Sequence, residues 1–151
     1  MGHPRGHLRG RVPLVTRVAT QWGPLAAWMA VIFYVSSQSH LQPPVPADFQ
    51  ELVSNAAHFT EYAVLAMLLR RAAGHFEGGS SLKQVFILWL VATLYGASDE
   101  AHQVFVPGRT VSAGDLAMDA LGAAVGVMIV PWWWLTRKTS QQSPPDPRQQ
   151  E

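Results

Sequence analysis

The sequence contains no cysteine in 151 residues. That excludes a disulfide framework, thiolate metal sites and cysteine nucleophiles, and it leaves His, Asp and Glu as candidate ligands or catalysts. No A-x-A cleavage site follows the first apolar segment, so the basic leader ahead of it is not read as a signal peptide that is removed. The basic residues form no patch, which leaves binding to DNA or RNA without support, and no cofactor is implied. The formal net charge of +1 says nothing by itself about partners. Its distribution says more.

The hydrophobic content of 48% is an ordinary average only because polar ends dilute an apolar middle. Met1 to Arg17 carries Arg5, Arg9, Arg11 and Arg17, and Arg137 to Glu151 is rich in Pro and Gln and charged. Between them lie four apolar segments, about 19–37, 50–70, 82–103 and 113–135. A helix rises about 1.5 Å per residue, so roughly 20 residues cross a hydrocarbon core. The expected fold is therefore all-α, a four-helix transmembrane bundle at the cell membrane. Residues 1–18 form a basic cytoplasmic leader, 19–136 the multi-pass membrane domain, and 137–151 a polar tail.

Local signals mark the ends. Pro43, Pro44 and Pro46 cannot continue the first helix. Asp48 with Glu51 has capping-box spacing, which starts the second helix near Phe49, and Ser112 with Asp115 has the same spacing before the fourth. Ser80 and Ser81 are placed to cap the third. Trp132, Trp133 and Trp134 belong in the membrane interface.

Ten of the eleven Lys and Arg residues fall on one side of a four-pass arrangement, and only Arg109 falls on the other. The positive-inside rule then places both termini in the cytoplasm and the loops 38–48 and 104–112 outside.

Polar groups concentrate between Tyr95 and Asp119, flanked by apolar segments on both sides. An ionised Asp at the centre of a membrane helix is disfavoured by about 2.5–3.5 kcal/mol, so Asp119, two turns into its helix, must face protein or water. Asn55, His58, Glu61 and Tyr62 share a stripe of the second helix. Tyr95, Asp99, His102 and Gln103 share one on the third, and Glu100 points about 100° away from Asp99. Because the spans alternate direction, three helices bring these groups together at the outer face. The candidate catalytic residues are His58, Glu61, Asp99, Glu100, His102 and Asp119. Arg109, Gln103, Tyr62, Tyr95 and Asp115 are candidate ligand-binding residues, although the Ser112 spacing also explains Asp115 as a cap. His58, Glu61 and His102 match no defined metal spacing. Asp115, Asp119, Gly122 and Gly126 follow at helical intervals, and the two glycines form a GxxxG surface that permits a homo-oligomer.

Three blocks also resemble a known family: His58-Phe59-x-Glu61-Tyr62-Ala63-x-Leu65, Ser98-Asp99-Glu100-x-His102-Gln103-x-Phe105-Val106-Pro107-Gly108-Arg109, and Asp115-x-x-x-Asp119-x-x-Gly122. Together with Ser36 to Gln38 they are similar to the VanZ-like family over about residues 24–130. The resemblance implies a small bacterial integral membrane protein, some relatives of which are tied to low-level resistance to the glycopeptide teicoplanin. Where many relatives carry an Asp-Lys pair shortly before the His, this chain has Ser54 and Asn55.

Three functions compete. A binding or protective protein would engage an amphiphile at the outer leaflet, such as a membrane lipid, a lipid-linked envelope precursor or a glycopeptide, with Arg109 suited to phosphate or carboxylate. An intramembrane enzyme would act on such a substrate through His and carboxylate acid–base or metal chemistry. A proton or ion pathway is disfavoured, because no acidic residue or His continues inward beyond Glu61 or Asp119 along their helices.

Overall fold

The structure, a computed structural model, describes residues 13–39, 45–73, 81–109 and 112–129. Its regular elements are four α-helices: α1 (Leu14–Ser36), α2 (Ala47–Ala72), α3 (Leu82–Gln103) and α4 (Ala113–Met128). No strand occurs among the described residues.

α1 begins at Leu14, five residues before the apolar segment, so the expected leader boundary at 18 falls inside the helix. Pro13 occupies the N-cap position, where a fixed φ suits entry into a helix. A second proline, Pro24, lies inside α1. It has no N–H to give the carbonyl four residues back, that of Thr20, and the Arg71 guanidinium of α2 donates to that oxygen at 3.0 Å. The interior proline is thereby turned into a tie between helices.

α2 also starts early. Pro46 delivers the chain into helix at Ala47 with no side-chain cap bond, so the expected capping box of Asp48 and Glu51 does not form. Asp48 instead sits in the first turn, where its charge complements the helix dipole. Ser81 does cap α3: its hydroxyl accepts the Gln84 N–H at 3.3 Å while Gln84 Oε1 accepts the Ser81 N–H at 3.0 Å. At α4 the Ser112 hydroxyl accepts the Gly114 N–H at 3.0 Å, a one-sided cap that leaves Asp115 in the first turn. α4 ends at Met128, seven residues short of the expected 135. A proline at position 131 disfavours helix at the residue before it and has no N–H to give the Val127 carbonyl. The Arg70 guanidinium, from the last turn of α2, donates to that Val127 carbonyl and satisfies the exposed end. The expected interfacial Trp132, Trp133 and Trp134 lie outside the described residues.

Cross-helix bonds fix the directions. Trp28 Nε1–H donates to the Glu61 carbonyl at 3.0 Å near the middle of α1 and α2, and Arg71 reaches Thr20, so these two helices are antiparallel. Tyr95 Oη–H donates to the Met29 carbonyl at 2.8 Å and Ser36 meets Asp99, so α1 and α3 are parallel. α2 and α4 run parallel in closest contact. Gly122 lies against the Phe59 backbone and Gly126 against that of Ala63, and a Cβ at either position would overlap a carbonyl oxygen. Both glycines are buried, and the helix that approaches them is α2 of the same chain.

Large apolar side chains cover the outside of the bundle, while ionisable ones are buried beside its apolar core. Val31, Phe33, Phe86, Ile87, Leu90, Val91 and Leu94 are exposed, while His58, Asp99, Glu100, Gln103 and Asp119 are buried. Water would favour the opposite arrangement. By length and composition, α1 and α2 are apolar enough to cross a membrane. α3 carries Lys83, Asp99 and Glu100, and α4 has only 16 residues, so neither stands as a candidate span by itself.

Candidate functional site

The polar residues gather at one end of the bundle, where α1 and α3 finish and α2 and α4 begin. They divide into two groups because Asp99 and Glu100 leave α3 about 100° apart.

The first group joins α2, α3 and α4. His58 Nδ1 lies 3.0 Å from Asp119 Oδ1, with Asp119 only 1% exposed. Glu100 sits beside them: a ligand atom from each of His58, Glu100 and Asp119 falls within 4.8 Å of the others. Both Glu100 oxygens, Asp119 Oδ2 and the Tyr62 hydroxyl are buried without a hydrogen-bond partner. The Ser112 amide approaches Glu100 without reaching bonding geometry. Asp119 comes this close to α3 because residue 96 is glycine. A Cβ at Gly96 would stand 2.9 Å from Asp119 Oδ2 and 3.1 Å from the Tyr62 ring.

The second group joins α1 to the end of α3. The Ser36 hydroxyl donates to Asp99 Oδ1 at 2.6 Å, and Gln103 Nε2 donates to Asp99 Oδ2 at 3.0 Å, so this carboxylate is satisfied on both oxygens. Ser37 Oγ and His102 Nε2 share a hydrogen bond at 3.1 Å, and the His102 ring stacks on Phe33 at 4.6 Å between centroids. Past a turn in which Gly108 takes φ of 82°, Arg109 folds back and donates from Nη2 to the Val35 carbonyl at 3.0 Å. Its Nε is buried and unpartnered.

The remaining sequence candidates connect the two. Glu61 is half-buried, with His58, Asp119, Asp99 and Arg109 all within electrostatic reach. Asp115 acts on His58, Glu100 and Asp119 from the first turn of α4, so its place in the cap and its place beside the cluster are compatible. Tyr95 contributes its ring 6.4 Å from that of Tyr62, but its hydroxyl is occupied by Met29. Three residues, Ser36, Ser37 and Gly96, were not among the sequence candidates. Ser36 is buried against Asp99, and its signal was the Ser-Ser-Gln pattern after the first helix. Gly96 had no such signal, since a lone glycine in an apolar helix does not disclose which side chain passes it.

Chemically the first group is a buried imidazole–carboxylate pair next to a second carboxylate with open oxygens. The pairing fixes one imidazole nitrogen and leaves the other to exchange a proton or donate a lone pair. In the second group every carboxylate oxygen is taken, and its bonds hold α1 to α3.

Comparison with known proteins agrees with the architecture. No curated protein and no solved structure matches the chain. The VanZ/LLP1 family model matches residues 14–135 of the 151. That interval takes in all four helices and both polar groups, and the chain belongs to the VanZ/LLP1 family.

Proposed function

We propose that this chain is a multi-pass protein of the cell membrane, with both termini cytoplasmic, whose polar centre near the outer leaflet receives the head of an amphiphile. The ligand class is a lipid, a lipid-linked envelope precursor or a glycopeptide. Membership of the family supports the setting, since some members are linked to glycopeptide resistance. The observation that carries the reading is the convergence of His58, Glu100 and Asp119 from three helices, with three carboxylate oxygens left open. Buried polar groups left unpaired are expensive in an apolar medium, so such a set is retained where something else completes it. Arg109, at the rim of the same end, supplies a cation suited to phosphate or carboxylate.

The test is protection of cells from teicoplanin by the parent and by Asp119→Asn and Arg109→Ala variants at equal membrane abundance. Protection should fall in both. Protection by both variants as complete as that of the parent would remove the polar centre from the function.

A second reading, an intramembrane enzyme acting on a lipid-linked substrate, is favoured by one observation: Asp119 holds the His58 ring at 3.0 Å. A carboxylate in that position orients an imidazole and stabilises its charged form, which is how a general base is held ready. Turnover of a lipid-linked envelope precursor by the purified parent, absent in His58→Gln, would establish it.

A further inference from the structure

We propose that His58, Glu100 and Asp119 bind a divalent transition-metal cation. The inference concerns the same centre as the proposed function, but it does not depend on which amphiphile enters.

The starting point is an imbalance of charge and bonds. His58 and Glu100 are 8% and 5% exposed, and Asp119 less still, so none of the three is solvated. The imidazole satisfies one oxygen of Asp119. Asp119 Oδ2 and both Glu100 oxygens remain without donors. Further negative groups surround them, with Asp115 and Glu61 acting on His58, and Asp99 and Asp115 on Asp119. The cation at this end, Arg109, acts on Glu61 from the rim and donates to the Val35 carbonyl. A shielded group of carboxylates with open lone pairs and one imidazole is complementary to a small doubly charged ion.

The donor set narrows the ion. One nitrogen and two carboxylates suit Zn²⁺, Mn²⁺ or Fe²⁺, whereas Ca²⁺ and Mg²⁺ prefer oxygen alone and more ligands. The three ligand atoms already lie within 4.8 Å of one another. Bond lengths of about 2.0–2.2 Å to a common centre put tetrahedral donors about 3.4 Å apart, so binding would draw these side chains together by rotation about their χ angles. Three protein ligands also leave a coordination position open, the arrangement in which a metal can meet an oxygen of an incoming headgroup. The ligands come from α2, α3 and α4, so the ion would link the three helices. No spacing along the chain could have revealed them.

The experiment uses the full chain purified in detergent, stripped with a chelator and titrated with Zn²⁺ and Mn²⁺ by calorimetry, with metal content measured after dialysis. The parent should bind one equivalent of at least one of these ions. Glu100→Gln and Asp119→Asn, both nearly isosteric, should each weaken binding at least tenfold, whereas Ser37→Ala in the second group should bind as the parent does. Two isosteric variants are used so that one that fails to fold does not decide the matter. No stoichiometric uptake by the parent, or unchanged affinity in both variants, would overturn the proposal. Amphiphile binding that persists in the stripped parent, with no metal uptake, would defeat the metal site alone. Metal uptake with loss in the variants, but no dependence of teicoplanin protection on them, would defeat the proposed function alone.

Discussion

His58 and Asp119 are 61 positions apart in the sequence and 3.0 Å apart in the bundle, Nδ1 to Oδ1. Each is the other's buried partner, so removing one leaves the other exposed to the full desolvation penalty. His58→Ala should lower stability by roughly 3–5 kcal/mol, the usual effect of stranding one half of a buried pair. Asp119→Asn keeps volume and a polar partner for the ring, and should melt closer to the parent. Thermal unfolding in detergent measures both, and a His58→Ala protein as stable as the parent would contradict the pairing.

The close approach of α2 and α4 makes a prediction of the opposite kind, about a methyl group that has no room. Gly122→Ala and Gly126→Ala should each destabilise by about 1–3 kcal/mol through overpacking against the Phe59 and Ala63 backbones. Gly23 in α1 has open space around it. Gly23→Ala should therefore be neutral or gain up to about 1 kcal/mol from helix propensity. The ordering of the three melting temperatures checks the packing.

Gly96 separates function from stability. A Cβ there meets the free Oδ2 of Asp119 and the edge of the Tyr62 ring, a side chain on each side. Side chains yield more easily than backbone, so Gly96→Ala should unfold at nearly the temperature of Gly122→Ala or above it. Yet it should reduce teicoplanin protection as severely as Asp119→Asn. Retained protection would mean that the position of Asp119 is not critical.

Orientation can be read directly because the native chain has no thiol. Phe105, in the turn after α3, is 82% exposed, and Lys83 near the start of α3 is exposed at the other end. In intact cells a membrane-impermeant maleimide should label Phe105→Cys and spare Lys83→Cys until the membrane is opened. The reverse pattern would invert the proposed topology.

Much of this arrangement was legible in the residues. The bounds of α3 follow from Ser81 and from the polar run that ends it, and the buried positions of His58, Asp99 and Asp119 agree with stripes at helical spacing. The misses have local causes. Proline rather than a capping carboxylate set the start of α2, and α4 ends at Met128 inside a segment that hydrophobicity alone extends to residue 135. The division of the polar residues into a bonded group around Asp99 and an open group around Asp119 could not be seen. It depends on which neighbour each face of α3 meets, and on a glycine at 96 whose role is defined by a side chain from another helix.

The shortness of α4 bears on access. Its 16 residues measure about 24 Å, against a hydrocarbon thickness of about 30 Å. In a four-pass orientation that deficit would be met by bilayer thinning, by flanking residues reaching to the interface or by helix association, and thinning would draw the headgroup layer down toward the capped start of the helix. A substrate anchored by its acyl chains would then need little vertical lift to bring its polar head level with Asp119. The membrane itself, dented at this one helix, would form part of the entrance.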